Sequence, residues 1–171
     1  MQTWFVRSNI LGVLRVCFDE NKIGFTKSGK SVRGALLRVD MQVKGKQSLV
    51  FPKPAMNFNE MLVEYELGNF KAFDNLPVRY EGSEFRIKVL QQMRQIPVGT
   101  VETYGGLAAL SGNPKAYRAV ATVCATNQIP LVLPCHRVVP SDFSVGNYAS
   151  RKIKNGTRLK ELLLSHEDAL I

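Results

Sequence analysis

Apolar residues dominate 3–7 and 12–18, which are rich in Val, Phe and Trp and read as strands. Asp19-Glu20-Asn21-Lys22 reads as a turn that returns the chain through 23–26 as a hairpin partner. Residues 32–43 fit strand and helix equally well. A short helix is expected over 59–67, with Asn59 as its cap and Met61, Leu62 and Tyr65 on one face. Residues 73–82, which include Pro77 and Gly82, read as a linker.

Beyond that point the spacing becomes helical. Ser83 can cap a helix whose apolar positions Phe85, Val89, Met93 and Ile96 recur every three or four residues until Pro97 and Gly99 end it. A second helix is expected over 102–110. Ser111-Gly112-Asn113 is a tight turn, and Pro114, suited to a first helical turn, opens a third helix over 115–126. Helix, short Gly-containing turn, helix is helix-turn-helix patterning, for which a plain helical hairpin is the alternative. Residues 129–133 form a short apolar run ending at Pro134, and 157–167 an amphipathic helix. The expectation is an α/β N-terminal domain (small β-sheet with helix) over 1–82, and a mainly α C-terminal domain with a helix-turn-helix over 83–171.

Composition narrows the class. Lys and Arg number 23 against 14 Asp and Glu in 171 residues, a net charge of +9 that favours a polyanionic partner, nucleic acid foremost. The excess is clustered as well as global: Arg151, Lys152, Lys154, Arg158 and Lys160 have no acidic residue among them. Three cysteines (Cys17, Cys124, Cys135) make no C-x-x-C, and with only two histidines a disulfide framework and a structural zinc site are both unexpected. No basic segment followed by a long apolar run opens the chain, and no apolar stretch is long enough for a bilayer. A cytoplasmic location is expected, or a nuclear one if the source is eukaryotic.

Gly24-Phe-Thr-Lys-Ser-Gly29-Lys30-Ser31 matches the phosphate-binding pattern G-x-x-x-x-G-K-S. That pattern works only where the turn follows a parallel strand and opens a helix, so that backbone N–H groups converge on phosphate. Here Gly24 falls within a return strand, and no strand ending in a suitably distant magnesium-binding Asp follows. Nucleotide binding is not expected.

The chemistry concentrates in Pro134-Cys135-His136-Arg137-Val138-Val139. An isolated Cys is most often a small core residue, but this one has a proline before it and an imidazole after it. A carboxylate, Glu167, ends the final helix and could orient that imidazole. A free thiol is mostly protonated at neutral pH, and a base held by a third group corrects this.

From Phe85 to Glu167 the chain resembles the O6-alkylguanine-DNA alkyltransferases, the methylated-DNA–protein-cysteine methyltransferases. The resemblance rests on Thr103-Tyr104-Gly105 with Leu107-Ala108-Ala109, and on Gly112-Asn113-Pro114-Lys115-Ala116 with Arg118-Ala119-Val120. Asn127, the P-C-H-R-V-V string, Gly146-Asn147-Tyr148, Lys160, Leu162-Leu163 and Glu167 complete it in order. The first 82 residues match only loosely, as that family's variable domain. The resemblance implies Cys135 as irreversible alkyl acceptor, activated through a water by His136 with Glu167 behind it, and Asn127 bracing the cysteine loop. It implies that the Cys135 and Val138 carbonyls read the guanine edge and that Tyr104 and Tyr148 hold the extruded base; Ala149 stands where the family's O6-directed serine is frequent, and Ser150 is the candidate to replace it. Arg118 would fill the gap left in the duplex, with Lys115 and Ala116 also on DNA. The implied partner is double-stranded DNA containing O6-alkylguanine, with O4-alkylthymine as a second lesion, acted on by a monomer needing no cofactor or metal. A lesion-binding or regulatory helix-turn-helix protein without transfer is the competing reading. The chain departs from the family at Ala121-Thr122, where two glycines are usual, at Ala125, where a cation is common, and at Ala149 with about five extra residues before Lys160.

Overall fold

An antiparallel sheet in the order β1-β2-β3 opens the structure, from β1 (Gln2–Ser8), β2 (Gly12–Phe25) and β3 (Ser31–Asp40). Trp4 and Val6 face Val16 and Leu14 across the first pair, and all four are buried. Alternation therefore puts one face of the sheet in the core, each such side chain contributing roughly 1.5–3 kcal/mol. Helix α1 (Lys53–Glu66) covers that core with Phe58, Leu62 and Tyr65. Phe73 lies 5.6 Å from the Phe58 ring and 5.7 Å from Tyr65. The computed structural model describes residues 1–41, 53–148 and 155–169, and divides into two units, Met1–Arg79 and Tyr80–Ile171.

Several expectations change here. Asp19 to Lys22 is not a hairpin turn: β2 runs through it, with Asp19 opposite Ala35 and Ile23 already opposite Gly34. The surplus residues bulge out, Asp19 Oδ1 accepting from the Asn21 N–H at 3.0 Å, and the strand resumes because Ile23 to Phe25 find partners on β3. Of residues 32–43, ambiguous in sequence, 32–40 are strand, while 42 and 43 lie outside the described residues. Helix α1 begins well before Asn59, with Pro54 in its first turn, so Asn59 is an interior residue rather than a cap.

The expected linker is partly structural. Phe73, Leu76 and Val78 are buried, and Val78 exchanges backbone hydrogen bonds with Phe25 at 2.8 and 3.1 Å. The Leu36 N–H donates to the Pro77 carbonyl at 2.8 Å. A Cβ on Gly24 would stand 2.8 Å from that of Ala35 and 3.0 Å from that of Pro77, so glycine is required for this packing. The Gly24 to Ser31 motif thus spans a hairpin. Thr26 and Lys30 share a backbone bond of 3.0 Å, the Gly29 N–H donates to the Thr26 carbonyl, and the Lys30 N–H donates to Thr26 Oγ1. Those donors are occupied within the turn, and a strand follows instead of a helix.

The second unit opens with α2 (Glu84–Gln95), where Ser83 Oγ accepts from the Arg86 N–H at 3.3 Å as cap. Val89, Leu90, Met93 and Ile96 are buried, and Phe85 is half-buried. The expected second helix starts two residues late. Glu102 and Thr103 form strand β4, parallel to β5 (Val138–Val139), and Thr103 then caps α3 (Tyr104–Leu110) by accepting from the Gly106 N–H at 2.9 Å. The third helix, α4, covers Tyr117–Ala125, shorter than expected. Asn113 to Ala116 closes a turn of its own, the Ala116 N–H donating to the Asn113 carbonyl, which leaves Pro114 and Lys115 outside the helix. Helix α5 (Gly156–His166) ends at Glu167. No described helix is long and apolar enough to cross a membrane.

Candidate active site

Pro134 (φ −81°, ψ 64°) turns the chain into a single 3-10 turn, Cys135–Arg137, held by Cys135 N–H to the Leu133 carbonyl at 2.8 Å and Arg137 N–H to the Pro134 carbonyl at 2.9 Å. The turn runs directly into β5. Pairing of β5 with β4 brings the start of α3, and so Tyr104, beside the cysteine although some 30 residues separate them in sequence. Asn127, just beyond the end of α4, donates from Nδ2 to the Leu133 carbonyl at 2.8 Å and to Cys135 Sγ at 3.2 Å, while its Oδ1 accepts from the Ile129 N–H. One side chain therefore fixes the loop and touches the sulfur.

The two residues after the thiol join Glu167 in a buried polar cluster. His136 Nε2 stands 3.0 Å from Glu167 Oε1. Arg137 donates twice to the same carboxylate, at 2.7 Å from Nε and 2.9 Å from a terminal nitrogen, and once to the Ile96 carbonyl at 2.7 Å. Burial drives the Glu167 carboxyl up, but the His136 and Arg137 partners outweigh it and hold the group well below the usual range. An ionised Glu167 accepts only, so Nε2 carries the imidazole proton and Nδ1 is left as the basic nitrogen. Burial pushes His136 down despite Glu167, which keeps the ring neutral. His136 Nδ1 has no hydrogen-bond partner among the described residues.

Burial likewise pushes the Cys135 thiol up, opposed by the Asn127 donor and the Lys160 cation. The resting group is a thiol that needs a base. Lys160 is fully buried on the apolar face of α5, beside Leu159, Leu163 and Leu164, and donates to the Val138 carbonyl at 2.7 Å. Burial lowers its ammonium to about 8, opposed by the Cys135 and Cys124 sulfurs. The sequence placed Lys160 in a basic cluster, whereas the core holds it; its spacing of three and four residues from Leu163 and Leu164 was the available signal.

Cys135 opens on a cavity of about 340 Å³ whose walls include Tyr104, Ala121, Cys124, Ala125 and Tyr148. Burial, then the two neighbouring thiols, raise the Tyr104 hydroxyl to about 12, so it stays a donor. Tyr148 meets the His136 ring edge-on at 6.2 Å, and a Cβ on Gly156 would stand 2.6 Å from the Tyr148 carbonyl, so α5 can start there only with glycine. Ala121 and Ala125 of α4 thus face the cavity.

Most expected site residues therefore converge: Cys135, His136, Glu167, Asn127, Tyr104 and Tyr148. Val138 enters through its carbonyl, which Lys160 already engages. Arg118 is exposed on α4, its guanidinium 5.6 Å from the Tyr117 ring centre; Lys115 is exposed and Ala116 half-buried before the helix. Ser150 and the cluster Arg151, Lys152 and Lys154 lie outside the described residues. Sequence reasoning missed Arg137, Lys160 and Cys124 as parts of the site.

A buried thiol thus lies on a cavity wall that α4 helps to form, with a buried imidazole–carboxylate pair at the next residue. Residues 84–169 match the family described as 6-O-methylguanine DNA methyltransferase, DNA binding domain. The methylated-DNA–protein-cysteine methyltransferase of Salmonella typhimurium is 35% identical over 136 residues, 80% of this chain and 76% of that one. The enzyme of that name in Methanosarcina acetivorans is 36% identical over 132 residues, 73% of this chain and 81% of that one. The chain belongs to the 6-O-methylguanine DNA methyltransferase family. Its fold is that of Mycobacterium tuberculosis OGT, crystallised in complex with DNA, at a TM-score of 0.72 and 22% identity over 98% of this chain and 93% of that one.

Proposed function

We propose that the protein repairs alkylated DNA by direct reversal, moving the alkyl group from O6 of guanine in double-stranded DNA irreversibly onto Cys135. The observation that carries this is the Cys135 thiol on the cavity wall with the His136–Glu167 pair behind it. The Cys135 proton passes through one water to His136 Nδ1. Sγ then attacks the alkyl carbon, the carbon–O6 bond breaks, its electron pair goes to the base, and the proton returns to guanine. The product is a thioether with no easy hydrolysis, so each molecule acts once.

Asn127 braces the thiol loop, and Tyr104 and Tyr148 hold the base. The Cys135 and Val138 carbonyls read its edge, and Ser150 is the hydroxyl directed at O6. Extruding the nucleotide costs a few kcal/mol, which Arg118 offsets by filling the gap. Residues 113–125 form the DNA-facing element, with α4 as its recognition helix and Lys115 and Ala116 at its entry. Residues 83–171 act as the catalytic domain and 1–82 as the variable one. A monomer working without cofactor in the cytoplasm, or in a nucleus, suits this chemistry, and O4-alkylthymine is the second lesion to try.

The test is to incubate the protein with an O6-methylguanine duplex and weigh its peptides. A gain of one methyl on the Cys135 peptide, absent in Cys135→Ala while lesion binding persists, supports the proposal. Lesion binding by the wild type with no mass gain would leave only a binding protein.

A further inference from the structure

Four described residues other than glycine have positive φ: Leu131 (75°), Phe143 (57°), Asn155 (59°) and Asp168 (54°). Asn and Asp tolerate the left-handed region through local hydrogen bonding, and Leu131 is buried, where packing offsets its strain. Phe143 has neither excuse. It is 53% exposed, and its N–H donates to the Pro140 carbonyl at 3.0 Å, closing a tight turn at whose last position glycine is favoured. A bulky residue in that conformation is strained, and an aromatic ring left half in water recovers little of that cost.

The turn's place is informative. Pro140 and Gly146, three residues to either side, both line the cavity beside Cys135, and Asn147 and Tyr148 continue that wall. Three residues reach at most about 11 Å, so the Phe143 backbone stands within that distance of two residues of the cavity wall. Any base entering this cavity arrives from a duplex lying across the rim. Within that reading of the site, an exposed ring held there at a conformational cost has one fitting partner.

We propose that Phe143 is a DNA-positioning residue: its ring stacks on the nucleotide next to the one drawn into the cavity and holds the duplex over Cys135. Aromatic stacking accepts every base, as a protein that searches all sequences requires, and one base–aromatic stack amounts to about tenfold or more in affinity. The strain is retained because the turn aims the ring outward.

The experiment compares wild type with Phe143→Gly, Phe143→Asn and Phe143→Tyr. It measures affinity for duplexes with and without O6-methylguanine, the rate of methyl transfer to Cys135 at saturating duplex, and the thermal midpoint. Phe143→Gly and Phe143→Asn should bind duplex about tenfold more weakly while their midpoints hold or rise, because the strain is gone. Phe143→Tyr should bind like the wild type. Unchanged affinity in Phe143→Gly overturns the proposal. So does a lowered midpoint in both Gly and Asn variants, which would make the ring a packing residue, or a loss that persists at saturating duplex, which would place it inside the pocket. Failure of wild type to methylate Cys135 would instead sink the repair reading.

Discussion

Arg137→Met removes two charged donors from Glu167 and leaves its carboxylate buried against His136. Breaking one side of a buried ion pair costs about 3–5 kcal/mol, a large share of the roughly 5–15 kcal/mol that stabilises a typical domain. For a chain of this length the thermal midpoint should fall by roughly 6–20 °C at pH 7. The pH dependence gives a second readout. Glu167 is held below its ordinary value of 4.5 in the fold, so its contribution is complete above 4.5 and is lost as pH falls from there. The variant has less to lose, and the two stability curves should converge on acidification. Adding Glu167→Gln to Arg137→Met removes the stranded charge and should restore part of the midpoint. Calorimetry from pH 7 to pH 3 on the wild type, both single variants and the double reads all of this. A midpoint in Arg137→Met equal to wild type at pH 7, or a double variant whose losses simply add, would refute the buried Arg137–Glu167–His136 cluster.

The remaining expectations test other parts of the site. Lys160→Met removes the cation that favours the Cys135 thiolate, so iodoacetamide labelling of Cys135 should slow at pH 7; the difference from wild type should fade above about pH 8, where Lys160 loses its own charge. Equal labelling rates at pH 7 would make Lys160 purely structural. Arg118→Ala should slow methyl transfer from duplex DNA by tenfold or more, about the effect of losing 1.4 kcal/mol, yet spare reaction with a free O6-alkylguanine base; equal losses would place Arg118 in folding or chemistry. Mg-ATP should leave the thermal midpoint unchanged in wild type and Lys30→Ala alike, because the Thr26, Gly29 and Lys30 N–H groups are spent within a hairpin turn.

The sequence by itself determined the parts that local rules govern. Ser83 and the spacing of Val89, Met93 and Ile96 announced α2; Gly112 ended α3; and the Pro134-Cys135-His136 string with a distant Glu167 named the chemistry, because reactive side chains are few and their neighbours limited. Tertiary structure decided what depends on partners far along the chain. Asp19 to Lys22 is turn-like in composition, yet stays in β2 because β3 supplies hydrogen bonds on both sides of the bulge. Glu102 and Thr103 have helical surroundings but pair with Val138 and Val139, and that pairing sets Tyr104 beside Cys135. Lys160 looks like a solvated cation until α5 docks, and Arg137 looks like one more basic residue until Glu167 meets it from thirty positions away. Propensity and patterning act over a few residues, whereas burial and charge pairing are set by whichever groups the fold brings within a few ångströms.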